Sequence, residues 1–253
     1  MKEADLTEDA ILGGRLRVRQ PARGYRVNVD TILLAAAVGM GGNETGARLV
    51  ELGCGVGGAL LSVAARYQIY PETRYFGVER DPRFAALARE NVALNGLSGK
   101  VIIYEADALS PPPEWGVFDG VFFNPPYDYS SEGRAPAAAR SGAHIAELPI
   151  KDWIKVWCNR MSYYACLTLI QRPHRLPEIL RALEGRLGGV EIFPIRPSRQ
   201  KPARRLIVRG RKGSRAPLQL WDGLDLHPEG KSKDKYTPQA EAILRGEAFI
   251  WSG

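Results

Sequence analysis

The chain has 253 residues, 45% of them hydrophobic and 25% charged, a composition that excludes a disordered or collagen-like chain and leaves enough length to bury a core without staples. Its three cysteines, Cys54, Cys158 and Cys166, include no CxxC pair, so neither a disulfide framework nor a zinc-ligand spacing is expected, and no metal. The formal net charge is +7, from 35 Lys+Arg against 28 Asp+Glu, and this alone suggests an acidic partner.

The distribution of charge says more than its total. Residues 15–26 contain five arginines and no acid (Arg15, Arg17, Arg19, Arg23, Arg26). Residues 192–221 contain nine basic residues and again no acid (Arg196, Arg199, Lys201, Arg204, Arg205, Arg209, Arg211, Lys212, Arg215). The rest of the chain holds 21 basic against 28 acidic residues, a net of −7. If both basic segments fold onto one face, the field there attracts a polyanion, of which nucleic acid is the usual one; the alternative is a set of solvated strand-edge arginines. The acidic first nine residues lack the basic and apolar regions of a signal peptide, and the most apolar stretch, 32–40, is about half a bilayer span. A soluble, cytoplasmic protein with no membrane partner is the expectation.

In chain order, residues 15–18 read as a short strand and Gly24 as a turn. Asp30 stands where an N-cap belongs, ahead of a helix over 31–38, and 39–46 is a loop. A repeated alternation follows: strand 48–52, glycine turn 53–58, helix 59–67, strand 75–79, helix 82–95 with Pro82 in its first turn, strand 101–105 closing at Asp107, and strand 118–123 ending at Asn124-Pro125-Pro126-Tyr127. Residues 128–147 have no period and read as a long loop. Helix 150–160, strand 163–171, helix 176–187 stopped by Gly188-Gly189, and strands 190–196 and 206–209 complete the core. The basic connection 197–205 is too short for a crossover helix, so the last two strands should be antiparallel. This alternation predicts an α/β fold with helices on both faces of a mostly parallel sheet. Three parts follow: an N-terminal segment 1–46 flanking the site, a core 47–215, and a C-terminal extension 216–253 packed on it.

The first chemical signal is Glu51-Leu52-Gly53-Cys54-Gly55-Val56-Gly57, between a strand and a helix, where glycines let backbone approach a ligand closely. Glu79 lies 22 residues beyond Gly57, at the end of the next strand, where a carboxylate can bind both hydroxyls of a ribose. A dinucleotide and S-adenosylmethionine both fit this set. A pyrophosphate would sit at the helix N-terminus, and Glu51 is awkward beside it but suits an ammonium group. Asp107 can accept from an adenine amine.

These motifs, with Asn124-Pro125-Pro126-Tyr127, resemble those of class I S-adenosylmethionine-dependent methyltransferases. Gln20-Pro21-Ala22-Arg23-Gly24-Tyr25-Arg26-Val27-Asn28-Val29-Asp30-Thr31-Ile32-Leu33-Leu34-Ala35 resembles the N-terminal signature of the bacterial valine-tRNA adenine-N6 methyltransferases, which modify the adenine beside the anticodon. Arg204-Arg205-Leu206-Ile207-Val208, Leu226-His227-Pro228 and Tyr236-Thr237-Pro238-Gln239-Ala240 are similar to that family's tail. The resemblance covers most of the chain, from about Asp5 to Arg245.

It implies a Rossmann-like seven-stranded sheet with an antiparallel last strand, and transfer of a methyl group to a nitrogen conjugated to a planar system. Asn124 and the Pro125 carbonyl would accept the two amine hydrogens, the prolines would hold those acceptors in place, and Tyr127 would stack on an extruded base. The cofactor set is Tyr25, Glu51, Gly53, Cys54, Gly55, Gly57, Glu79, Arg80, Asp107, Ala108 and Asn124. Arg23, Arg26, Arg199, Lys201, Arg204 and Arg205 would bind RNA. The expected reaction is methylation of adenine N6 in a tRNA. Met161-Ser162-Tyr163-Tyr164 replaces the family's glycine-containing turn, and the loop after Tyr127 is long. Both lie near substrate, so guanine N2 in rRNA, a protein glutamine amide and a small-molecule hydroxyl stay open as acceptors. His144, His174 and His227 form no catalytic pattern, and Trp153 and Trp157, four apart, share a helix face and read as packing.

Overall fold

The computed structural model describes residues 5–24, 26–42, 45–125, 150–230 and 232–251. Tyr25, Pro126, Tyr127 and the expected loop 128–147 lie outside them.

The core is a sheet of β3 (Arg48–Leu52), β4 (Arg74–Glu79), β5 (Val101–Glu105), β6 (Phe118–Phe123), β7 (Met161–Gln171), β8 (Leu187–Arg196) and β9 (Arg205–Lys212), in the order β5-β4-β3-β6-β7-β9-β8. All pairings are parallel except those of β9, which runs antiparallel to both β7 and β8. The short β8–β9 connection imposes that reversal. Two strands that the sequence pattern does not predict, β10 (Gln219–Leu220) and β11 (Leu224–Asp225), lie parallel on the outer edge of β8, so among the described residues the sheet has the seven expected strands and two more at its edge.

Helices cover both faces. Helices α1 (Val29–Ala37), α2 (Gly58–Arg66), α3 (Pro82–Leu94) and α6 (Pro238–Leu244) bury Leu33, Leu60, Ala88 and Ile243 in one apolar cluster. Helices α4 (Ile150–Cys158) and α5 (Leu176–Leu183) bury Trp153, Trp157 and Ile179 in the cluster on the other face. Among the described residues, no helix is long and apolar enough to cross a membrane.

Three local expectations are corrected. The N-cap of α1 is Asn28, whose Oδ1 accepts from the Thr31 N–H at 3.3 Å while Thr31 Oγ1 accepts from the Asn28 N–H at 3.3 Å. Asp30 is thereby available to pair with Arg205 at 2.7 Å. Helix α5 ends at Leu183, and Gly188-Gly189 belong to β8: a side chain at 188 would come within 2.0 Å of the Ser214 carbonyl oxygen, so these glycines admit neighbouring backbone rather than stop a helix. Met161-Ser162-Tyr163-Tyr164, expected near substrate, opens β7 with Met161 opposite Phe118, at the sheet edge away from Asn124, and Tyr164 has a left-handed φ of 66°.

The N-terminal segment is a hairpin of β1 (Leu6–Ile11) and β2 (Leu16–Pro21) rather than one short strand. The free edge of β2 is capped by two amides one helical turn apart, one on α3 and one at its C-cap. Asn91 and Asn95 accept from the Arg19 and Arg17 N–H groups (2.7 and 2.9 Å) and donate to their carbonyls (2.9 and 2.8 Å), taking the place of a further strand. Asn91 also donates to the Val56 carbonyl at 2.9 Å, joining this segment to the glycine turn. At the other end, the Ile250 N–H donates to the Ala36 carbonyl and Trp251 Nε1 to the Ala37 carbonyl at 2.8 Å. The Trp251 ring packs on Phe193 and Trp221, with the Arg209 guanidinium 4.2 Å from its centroid. Arg66 donates to the Ala248 and Ile243 carbonyls, and burial lowers its pKa to about 10.

Candidate active site

The chemical motifs converge at the carboxyl edge of the sheet. Because β3 and β4 are adjacent and in register, with Leu52 opposite Val78, Glu79 falls level with Gly53 despite its distance in sequence. The turn after β3 uses left-handed backbone at Gly53, Gly55 and Gly57 (φ 62°, 54° and 85°), and Gly57 caps α2. The Gly55 N–H donates to Glu79 Oε2 at 2.9 Å and the Asp81 N–H to Oε1 at 2.8 Å, so Glu79 is fixed against the turn. Gly77, unnoticed in the sequence, makes this possible: a side chain there would reach within 2.7 Å of Cys54 Sγ.

Glu51 is buried, and one carboxyl oxygen accepts from the Leu60 N–H at 2.7 Å. Burial pushes its pKa well above the ordinary carboxylate range; the Leu60 bond opposes this and the nearby Glu79 charge adds to it. Cys54 lies in the same pocket of negative charge, and burial pushes its thiol up, so it is an inert filler of the turn. Neither Glu51 nor Glu79 has an ion-pair partner among the described residues. Two carboxyl groups beside a glycine turn, with no cation of the described residues paired to either, disfavour a pyrophosphate and suit a cationic ligand, which would favour the ionised form of Glu51. Asp107, past the end of β5, is exposed and accepts from the Leu109 N–H at 2.8 Å, while buried Ala108 accepts from Trp157 Nε1 at 2.7 Å. Arg80 is exposed at the end of β4.

On the other side of β3, Leu52 is opposite Phe123, which brings Asn124 level with Gly53 as well. Asn124 Oδ1 is buried and accepts no hydrogen bond among the described residues. An orphaned buried acceptor costs about 1–3 kcal/mol, so its retention points to a donor brought by a ligand. Trp153 of α4 completes this wall. Its ring is T-shaped to Phe123 at 5.3 Å, and its edge would stand 3.1 Å from a side chain at Gly53. The sequence reading took Trp153 as packing, since helix periodicity does not say which loop a ring touches.

The basic segments divide in space. Within the first, Arg17 and Arg19 pair with Glu8, and Arg26 pairs with Asp9 at 2.8 Å while donating to the Pro21 carbonyl; Arg23 is exposed. In the second, Arg196, Arg205 and Arg209 pair with Asp225, Asp30 and Glu191. Strand β9 carries this segment across the sheet, so the 197–204 connection lies at the same edge as Asn124, whereas Arg211, Lys212 and Arg215 lie at the opposite edge, roughly 25 Å away for an eight-residue strand. Arg199, Lys201 and Arg204 are exposed on the active edge.

Comparison with known proteins agrees with this geometry. A methyltransferase domain family matches residues 49–145. A tRNA1(Val) (adenine(37)-N6)-methyltransferase of Porphyromonas gingivalis is 29% identical over 83% of this chain and 85% of its own. The solved structure of a predicted O-methyltransferase from Agrobacterium tumefaciens is 30% identical, covers 87% of this chain and 97% of its own, and superposes with a TM-score of 0.70. A T. thermophilus 16S rRNA N2 methyltransferase, solved with AdoMet and guanosine, shares the fold at 19% identity and a TM-score of 0.54, over 82% of this chain and 50% of its own. With its motifs gathered on one sheet edge and a relative at 30% identity over nearly the whole chain, this protein belongs to the S-adenosylmethionine-dependent methyltransferases of class I.

Proposed function

We propose that this methyltransferase acts on the exocyclic amine of an RNA base, adenine N6 in a tRNA. The observation that carries the reading is the buried, unpartnered Oδ1 of Asn124, held level with the cofactor turn by the register of β6 on β3. An exocyclic amine is a poor nucleophile because its lone pair is delocalised into the ring. Two acceptors on its hydrogens, Asn124 Oδ1 and the Pro125 carbonyl, favour the geometry that localises the lone pair and orient it for attack. By the resemblance, Pro126 would restrict the backbone of Pro125 and Tyr127 would stack on the base, both outside the described residues.

Bound S-adenosylmethionine supplies an electrophilic methyl group on a sulfonium. Glu51 and Gly53, Cys54, Gly55 and Gly57 would receive its amino-acid part, Glu79 its ribose hydroxyls, and Asp107 with Ala108 its adenine, with Arg80 exposed beside Glu79; Tyr25, assigned to the cofactor by resemblance, lies outside the described residues. The 47–215 core carries this machinery, and segments 1–46 and 216–253 flank it. Arg23, Arg199, Lys201 and Arg204 hold RNA phosphates; Arg26 and Arg205, ion-paired internally, shape that surface more than they contact RNA. A tRNA substrate places the enzyme in the cytoplasm.

The test is incubation with labelled S-adenosylmethionine and separate pools of tRNA, rRNA, protein and small molecules, followed by nucleoside analysis. Label recovered as N6-methyladenosine from tRNA is the expected result. Label confined to protein, to guanine of rRNA or to small molecules replaces the acceptor.

A further inference from the structure

The C-terminal extension reaches the active edge by a route the sequence does not reveal. Strand β11 runs parallel to the end of β8, pairing Leu224 with Ile195 and Asp225 with Arg196. The chain then continues along the β8–β9 connection: the Leu226 N–H donates to the Arg196 carbonyl at 2.9 Å and the His227 N–H to the Pro197 carbonyl at 2.8 Å. It folds back at Tyr236, with the Thr237 N–H donating to the Leu226 carbonyl at 2.9 Å.

Ring contacts tie the two ends of this return together. His227 stacks on Tyr236 at 5.5 Å and 20°, His227 Nδ1 contacts the Lys235 carbonyl at 2.5 Å, and the Lys235 ammonium lies 5.1 Å from the Tyr236 centroid. An open cleft of about 420 Å³ lies against it, lined by Lys233, Asp234, Lys235, Tyr236, Pro238 and Glu241.

Two loops, hydrogen-bonded side by side where Leu226 and His227 meet Arg196 and Pro197, therefore carry Arg199, Lys201 and Arg204 on one and Lys233 and Lys235 on the other. All five are exposed, and none is ion-paired among the described residues, in contrast to Arg17, Arg26, Arg196, Arg205 and Arg209. The acids there, Glu229, Asp234 and Glu241, leave a surplus of positive charge. Unpaired cations fixed by backbone bonds at the edge that carries Asn124 fit a chain of phosphates.

We propose that the return of the C-terminal extension, through Lys233 and Lys235, is a docking surface for the phosphate backbone of the RNA substrate, continuous with the β8–β9 connection. This rests on the RNA reading above. Each lysine neutralises one phosphate and releases its counterion, so binding through this surface is salt-dependent.

The experiment measures tRNA binding and methylation across a salt series for the wild type, for Lys233→Glu/Lys235→Glu, and for Arg211→Glu/Arg215→Glu, which makes the same change in net charge at the opposite edge. The lysine pair is expected to weaken tRNA binding by about tenfold or more and to flatten the slope of log affinity against log salt by about one to two. The arginine pair should stay within about threefold of wild type, and S-adenosylmethionine affinity should be unchanged in both. Wild-type-like tRNA binding in the lysine pair, or equal losses in both pairs, overturns the proposal alone. A wild type that neither binds nor methylates any RNA overturns the RNA reading and this proposal with it.

Discussion

Replacing Asn124 by alanine should separate stability from activity. The Oδ1 atom is buried without a hydrogen-bond donor among the described residues, so the folded, ligand-free protein carries the cost of an unsatisfied acceptor, about 1–3 kcal/mol. Alanine removes that cost and loses a small amount of packing. For a chain of this size each kcal/mol moves Tm by roughly 2–4 °C, so Asn124→Ala should melt at the wild-type temperature or a few degrees above it. Turnover should move the other way. An acceptor that orients the amine and meets developing charge in the transition state is worth roughly 10²–10³ in kcat, while cofactor affinity changes little. Thermal denaturation, calorimetric titration with S-adenosylmethionine and single-turnover methyl transfer measure the three quantities. A variant whose kcat stays within threefold of wild type, or whose Tm falls by more than a few degrees, refutes the argument. The second result would show that the side chain has a structural partner.

Two further predictions rest on particular contacts. Glu51 holds its proton above the ordinary carboxylate range in the free protein, and a bound ammonium favours the ionised form, so binding should release that proton. Affinity for S-adenosylmethionine should therefore rise with pH up to the raised value of free Glu51 and level off above it; Glu51→Gln should bind weakly and flatten the profile, and an unaltered profile counts against the assignment. Trp251→Ala removes the bond to the Ala37 carbonyl and the packing on Phe193, Trp221 and Arg209, at about 2–3 kcal/mol for a partly buried ring. A Tm drop of roughly 4–12 °C is expected in a melt, and a change under 2 °C would show that the C-terminal anchor is dispensable.

Much of the fold was legible because its signals are local. The alternation of short apolar runs with helices of ten or so residues located β3 to β9 and their helices, and the brevity of the 197–205 connection predicted the reversal of β9. Strand β1 escaped because Leu6-Thr7-Glu8-Asp9-Ala10-Ile11 is acidic and has no strand-like composition; it exists because β2 pairs with it and because Glu8 and Asp9 meet arginines. Strands β10 and β11 are two residues each, too short to leave a period. Asp30 and Gly188-Gly189 were assigned the wrong duties for a related reason: a cap and a helix stop are local patterns, whereas an ion pair with Arg205 and a close approach by Ser214 are long-range facts.

The sequence by itself determined the enzyme class, since the glycines and carboxylates that signal it stand at strand ends whose order is written in the local alternation of elements. Only the tertiary structure decided which charges are available for use. The sequence counted fourteen cations in two acid-free segments, yet acids on β1, α1, β8 and β11 pair with six of them, and β9 carries three more to the far edge. Electrostatic attraction falls off with distance in space, not along the chain, so a count of charges becomes a binding surface only after the fold has chosen their neighbours.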